Sequence, residues 1–169
     1  VEAVEIQIVV LRVEIVVLTV LADEIGFALV VFVLYKRDSS LADDVLHRLR
    51  AIIMGVRSDG LVRANEEFAA WITGEKSMPF GENGEHLTIR LIDFEDLEQN
   101  RYVVTQQYTF RAGSTEKRAD LVLLINGMPL VLIEAKTPVR ASQSWLDGAL
   151  QVNEDYERNV PELFVPNVF

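Results

Sequence analysis

The chain has 169 residues, no cysteine and a formal net charge of -10. That length is one domain's worth, enough to bury a core without covalent staples, and the missing cysteines exclude a disulfide framework, a thiolate metal site and a cysteine nucleophile, as fits a cytoplasmic protein. The acidic balance argues against general phosphate binding, yet it is uneven: residues 1–100 carry 9 basic and 18 acidic side chains, residues 101–169 carry 7 and 8, so the second part has room for a local cationic rim.

Residues 1–37 are rich in Val, Ile and Leu, but the charge-free runs Ile15 to Ala22 and Ile25 to Tyr35 fall short of the roughly 20 residues a spanning helix needs. Glu2 and Glu5 stand where a signal peptide carries basic residues. The segment is therefore read as buried core, strand or helix left open, with no membrane contact. From Ser39 the pattern turns helical: a serine cap, Asp43 and Asp44 early, and an apolar face of Val45, Leu46, Leu49, Ile52 and Ile53 predict a helix over roughly 40–54. A second helix is predicted over roughly 65–73, with Phe68, Trp71 and Ile72 inward and Gly74 closing it. A turn follows at Gly81 to Gly84. The period then changes to two, predicting strands at 87–94, 101–110, 119–125 and 130–136, the last two joined through Asn126 and Gly127. A final helix over roughly 142–158 ends before Pro161. The fold class is α/β.

The chemistry lies in the hairpin 118–136. Along its second strand Leu130, Leu132, Glu134 and Lys136 share one face. Whether Asp120 joins them depends on the turn. A two-residue turn pairs Ile125 with Met128 and sends Asp120 to the opposite face from Glu134, whereas a three-residue loop with a left-handed Gly127 makes them diagonal neighbours about 7–8 Å apart at the backbone. A shared site requires the second arrangement. Two carboxylates and a lysine interrupting one apolar face are costly to bury unpaired. Together they suit Mg²⁺-dependent phosphodiester hydrolysis: Asp120 and Glu134, with the Ala135 carbonyl, supply hard oxygen ligands, and Lys136 stabilises developing negative charge. Arg101, Arg111, Lys117 and Arg118 precede the motif with only Glu116 against them. Arg111, Lys117 and Arg118 are the DNA-binding candidates. His47 and His86 have no partners at metal spacing, and no serine stands with a His and an acid as a triad would.

The runs RLIDFEDLEQNRYVVTQQYTF, EKRADLVLLINGMPLVLIEAKTP and ALQVNEDYERNVPELF resemble, in order and wording, the N-terminal nuclease domain of type I restriction enzyme R subunits, a branch of the PD-(D/E)xK superfamily. The resemblance covers roughly residues 57–169. It implies a restriction-endonuclease-like core, with a mixed central sheet flanked by helices, and a single nuclease-like domain whose catalytic part spans 87–158. It also implies Mg²⁺-dependent cleavage of double-stranded DNA by Asp120, Glu134 and Lys136, with Gln151 and Tyr156 in support. These last two are five apart, about 140° around an α-helix, which sets them on different faces. Methyltransferase and specificity subunits are the implied partners, and ATP and S-adenosylmethionine are implied for the full restriction complex only. No Gly-x-x-x-x-Gly-Lys-Ser/Thr loop occurs in the sequence, so the chain is expected to be a piece lacking the motor and C-terminal domains. The alternative expectation is a non-catalytic module that keeps the nuclease-like fold and docks on DNA or partner subunits.

Overall fold

The computed structural model describes residues 39–80, 83–136 and 144–167 of the chain. The apolar segment 1–37 and the start of the final helix lie outside the described residues.

Helix α1 (Ser39–Asp59) buries Leu41, Val45, Leu49, Ile53 and Val56, a stripe recurring every three or four residues as one helix face requires. It runs beyond the expected end because Val56 continues that stripe, and it stops at Gly60, whose φ of 88° suits glycine. Helix α2 (Leu61–Ile72) starts at once and buries Ala64, Phe68, Trp71 and Ile72. Gly74 closes it at φ 76°, with Glu75 N–H reaching back to the Ala70 carbonyl at 2.9 Å.

Strands β1 (Ser77–Phe80) and β2 (Glu85–Thr88) form a separate antiparallel pair. The strand expected over 87–94 thus ends early. Ile89, Leu91 and Ile92 are all buried, so this stretch does not alternate. The Asp93 carboxylate then accepts from the Glu95 and Asp96 N–H groups at 3.0 and 2.9 Å, turning the backbone out of extended form.

Strands β3 (Tyr102–Ala112), β4 (Thr115–Ile125) and β5 (Met128–Ile133) form a three-stranded sheet in that order. The α/β class stands, but every strand pair among the described residues is antiparallel. The mixed sheet expected from the resemblance is therefore not what they form. Both joints of β3–β4–β5 are hairpins, which join only antiparallel neighbours.

The C-terminal part packs back on the helices. Helix α3 (Trp145–Leu150) opens at Ser144, where Asp147 completes a capping box, and the chain continues as a π-helix over Gln151–Glu157. The segment after Pro161 buries Glu162, Leu163, Phe164 and Val165. The Arg57 guanidinium grips the buried Glu162 carboxylate with bonds of 2.6 and 3.1 Å, and Asn65 donates to the carbonyls of Val165 and Asn167. These clamps fix the segment that follows the π-helix against α1 and α2. No helix among the described residues is long and apolar enough to cross a membrane.

Candidate active site

The turn between β4 and β5 has two residues. Ile125 pairs with Met128, and Asn126 and Gly127 both have positive φ, 51° and 81°, the mirror-type turn that matches strand twist. The three-residue loop required above is therefore wrong. A tertiary anchor explains why. Asn126 is buried; its amide donates to the Leu91 carbonyl at 2.8 Å and to Asn100 Oδ1 at 2.9 Å, and its Oδ1 accepts from Arg101 N–H at 2.8 Å.

A bulge does what the loop was expected to do. Leu124 pairs with Pro129 but Leu123 pairs with Val131, leaving Leu130 as the extra residue on β5. Pro129, with no N–H to give a ladder, belongs at such a break. Beyond the bulge Leu121 faces Ile133, and the same count sets Asp120 opposite Glu134, one residue past the end of β5. One inserted residue thus returns both carboxylates to one face.

Asp120 accepts the Ala135 N–H on Oδ2 at 2.9 Å and the Gln107 side-chain amide on Oδ1 at 3.1 Å. The Ala135 N–H is the main reason its pKa is lowered; partial desolvation opposes it, and Gln107 and the Lys136 charge assist. The Glu134 side chain is only 5% exposed, with Oε2 3.6 Å from Lys136 Nζ, while its Oε1 is buried with no hydrogen-bond partner among the described residues. A buried, partnerless carboxylate oxygen costs on the order of 1–3 kcal/mol or more, a cost that a bound cation removes. Among the described residues no three His, Cys, Asp or Glu side chains cluster as a ligand set. Two carboxylates plus a backbone carbonyl, with water completing the shell, are what Mg²⁺ commonly uses. Asp120 and Glu134, with Ala135 beside them in the same cavity lining, are of the residue types that suit such an ion.

Lys136 Nζ donates to Gln151 Oε1 at 2.5 Å, Gln151 Nε2 donates to Tyr156 Oη at 2.6 Å, and the Tyr156 hydroxyl donates to the Arg118 carbonyl at 2.8 Å. Each bond sets the next. Because the phenol proton goes to Arg118, its oxygen must accept from the Gln151 amide, which turns Oε1 toward the ammonium. Tyr156 is buried and its pKa is pushed up to about 12, by burial first, with the Gln151 bond opposing and the Glu134 carboxylate adding; the phenol stays protonated. The five-residue spacing that separates two side chains on an α-helix brings them together here because residues 151–157 are π-helical, with i→i+5 bonds.

The model of the type I restriction enzyme R protein N terminus matches residues 34–169. The chain belongs to this family. The HindI endonuclease subunit of a type I restriction enzyme from Haemophilus influenzae is 36% identical over 110 residues, covering 63% of this chain and 10% of that protein. A chain assigned as the MjaIXP endonuclease subunit of a type I restriction enzyme from Methanocaldococcus jannaschii is 34% identical over 98 residues, covering 55% and 9%. The chain therefore spans about a tenth of the length of these curated relatives. No solved structure matches it.

In this R-protein N terminus an open cavity of about 600 Å³ is lined by Asp120, Glu134, Lys136, Gln151 and Tyr156, together with Lys117 and Arg118 and the acidic Glu116 and Asp155. The three basic candidates differ. Arg111 is exposed, lies outside the cavity lining and pairs with Glu116. Lys117 pairs with Asp155 at 2.6 Å and sits 6.0 Å from the Tyr156 ring centre. Arg118 is exposed and has no ion pair among the described residues. His47 is exposed on α1, and His86 meets Ser77 across β1–β2. Two contributors escaped the sequence reading. Gln107 gave no signal within its polar strand, whereas Gly148, a glycine inside a helix, was a legible one: a Cβ there would lie 3.3 Å from Lys136 Cγ, so its absence lets the lysine stem lie along α3.

Proposed function

We propose that this chain carries the phosphodiester-cleaving site of a type I restriction enzyme R protein, with a restriction-endonuclease-like core and double-stranded DNA as substrate. One observation carries the reading: the bulge at Leu130 sets Asp120 and Glu134 side by side, with Glu134 Oε2 3.6 Å from Lys136 and its buried Oε1 without a partner among the described residues. The relatives named as endonuclease subunits support it. Asp120, Glu134 and the Ala135 carbonyl would hold Mg²⁺, which when bound supplies Lewis-acid polarisation of a phosphoryl oxygen and a more acidic water. Lys136, held by Gln151 and near Glu134, presents a fixed ammonium to the negative charge that grows on the scissile phosphate. Tyr156 and Gln151 keep it aimed. Arg118 and Lys117 in the cavity lining meet the DNA backbone, a contact that positions without reading bases. Sequence recognition then falls to methyltransferase and specificity subunits, in the cytoplasm, with ATP and S-adenosylmethionine used elsewhere in the complex.

A second reading, a docking module that does not cut, draws on the ion pairs that occupy two of the three basic candidates. Plasmid nicking with Mg²⁺ separates the two. Nicking by the parent chain that disappears in Asp120→Ala and in Lys136→Ala supports the nuclease. No nicking by the intact protein, alone or with its partner subunits, while it still joins their complex supports the module.

A further inference from the structure

Gln107 lies in the middle of β3 with φ 53°, a left-handed conformation that side chains other than Gly, Asn and Asp rarely adopt and that a strand does not ask for. Its neighbours do not slip: Gln106 faces Leu121 and Tyr108 faces Ala119, so the ladder keeps its register and Gln107 comes opposite Asp120. No turn or inserted residue explains the backbone there. What accompanies it is the bond from Gln107 Nε2 to Asp120 Oδ1, 3.1 Å long. The other Asp120 oxygen is taken by the Ala135 N–H at 2.9 Å, on the side of β5. The carboxylate is therefore gripped by two donors, one from β3 and one from the chain just past β5, and both its torsion and its plane are set.

We infer that Gln107 is a positioning residue that holds the Asp120 carboxylate in the rotation at which it and Glu134 address one divalent cation. This rests on the cation site proposed above. The Ala135 bond alone leaves the carboxylate free to swing about a single contact; the second donor from β3 removes that freedom, the way hydrogen-bond partners outside a metal's own ligands orient those ligands. The left-handed backbone accompanies the delivery of the amide to Asp120. Strain at a position facing a candidate ligand is the pattern expected where function outweighs local stability.

The test uses the full 169-residue chain with Mn²⁺ as the probe, titrated calorimetrically into metal-free protein, alongside thermal melting in EDTA. Gln107→Met keeps the length of the side chain and removes the donor; Gln107→Gly accepts φ 53° without strain and removes the side chain. Both should bind Mn²⁺ about tenfold more weakly, while the melting temperature is unchanged for Met and unchanged or higher for Gly. Parental Mn²⁺ affinity in either variant overturns the role of Gln107 and leaves the cation site standing. So does a loss of affinity that merely follows a lower melting temperature. Absence of any Mn²⁺ heat in the parent chain overturns the cation site and the role of Gln107 together.

Discussion

The β4–β5 hairpin buries polar side chains at both ends, and the two ends deal with the cost differently. At the turn, Asn126 satisfies its amide and carbonyl internally through Leu91, Asn100 and Arg101. At the other end, beyond the Leu130 bulge, Glu134 keeps one buried oxygen without a partner among the described residues. A closed polar network contributes stability and uniqueness. An open one is strained until something outside the protein completes it. The contrast separates a structural amide from a candidate ligand within one hairpin.

The largest effect is expected at the open end. Glu134→Gln should lower DNA nicking roughly 1000-fold, about 4 kcal/mol of transition-state stabilisation, while the melting temperature in EDTA holds or rises because a buried charge has gone. Parental nicking together with a lower melting temperature would erase the contrast. At the closed end the signs reverse. Asn126→Ala should cost about 3 kcal/mol of stability in urea unfolding, since it strands buried partners and forces alanine to positive φ, yet leave the cleavage rate per folded molecule unchanged. A stable Ala variant would show that the amide cluster is not what anchors the turn.

Two smaller changes sharpen the open end. Gly148→Ala adds a Cβ 3.3 Å from Lys136 Cγ; nicking should fall about tenfold through displacement of the ammonium. Stability should be unchanged or up to about 1 kcal/mol higher, because alanine favours helix. Equal loss of stability and activity would instead make Gly148 a packing residue. Tyr156→Phe removes one hydroxyl and should cost about 1 kcal/mol in unfolding. It should also slow nicking severalfold, since the Gln151 amide is then free to turn its nitrogen toward Lys136. An unchanged rate would sever Tyr156 from the site.

Much of the secondary structure was legible because apolar period and turn chemistry are local. The stripes of α1 and α2, the glycine stop at Gly74, and the existence of β3, β4 and β5 follow from them, whereas the end of α1 at Gly60 was not read. The misread stretch is 89–94, where Ile89, Leu91 and Ile92 mimic alternation but are buried by neighbours on several sides. Of the site, the two-residue repeat put Glu134 and Lys136 on one face of a strand over 130–136, but β5 ends at Ile133; the two side chains come together beyond it, Oε2 to Nζ at 3.6 Å. The company of Asp120 does not follow from that repeat. The expected loop was replaced by a bulge at Leu130, and nothing in an apolar run such as MPLVLI marks which residue will be left unpaired. The five-residue gap between Gln151 and Tyr156 was likewise uninformative, because π-helical bonding is set by packing rather than by propensity.

By itself the sequence determined the element types, the family wording and the identity of the three charged groups in the hairpin, all properties of residues close together along the chain. Only the tertiary structure decided the register beyond Leu130, the left-handed Gln107 and the π-turn that joins Gln151 to Tyr156. Each of these trades a local preference for contacts made with residues far away in the chain, and such trades are written in the packed whole.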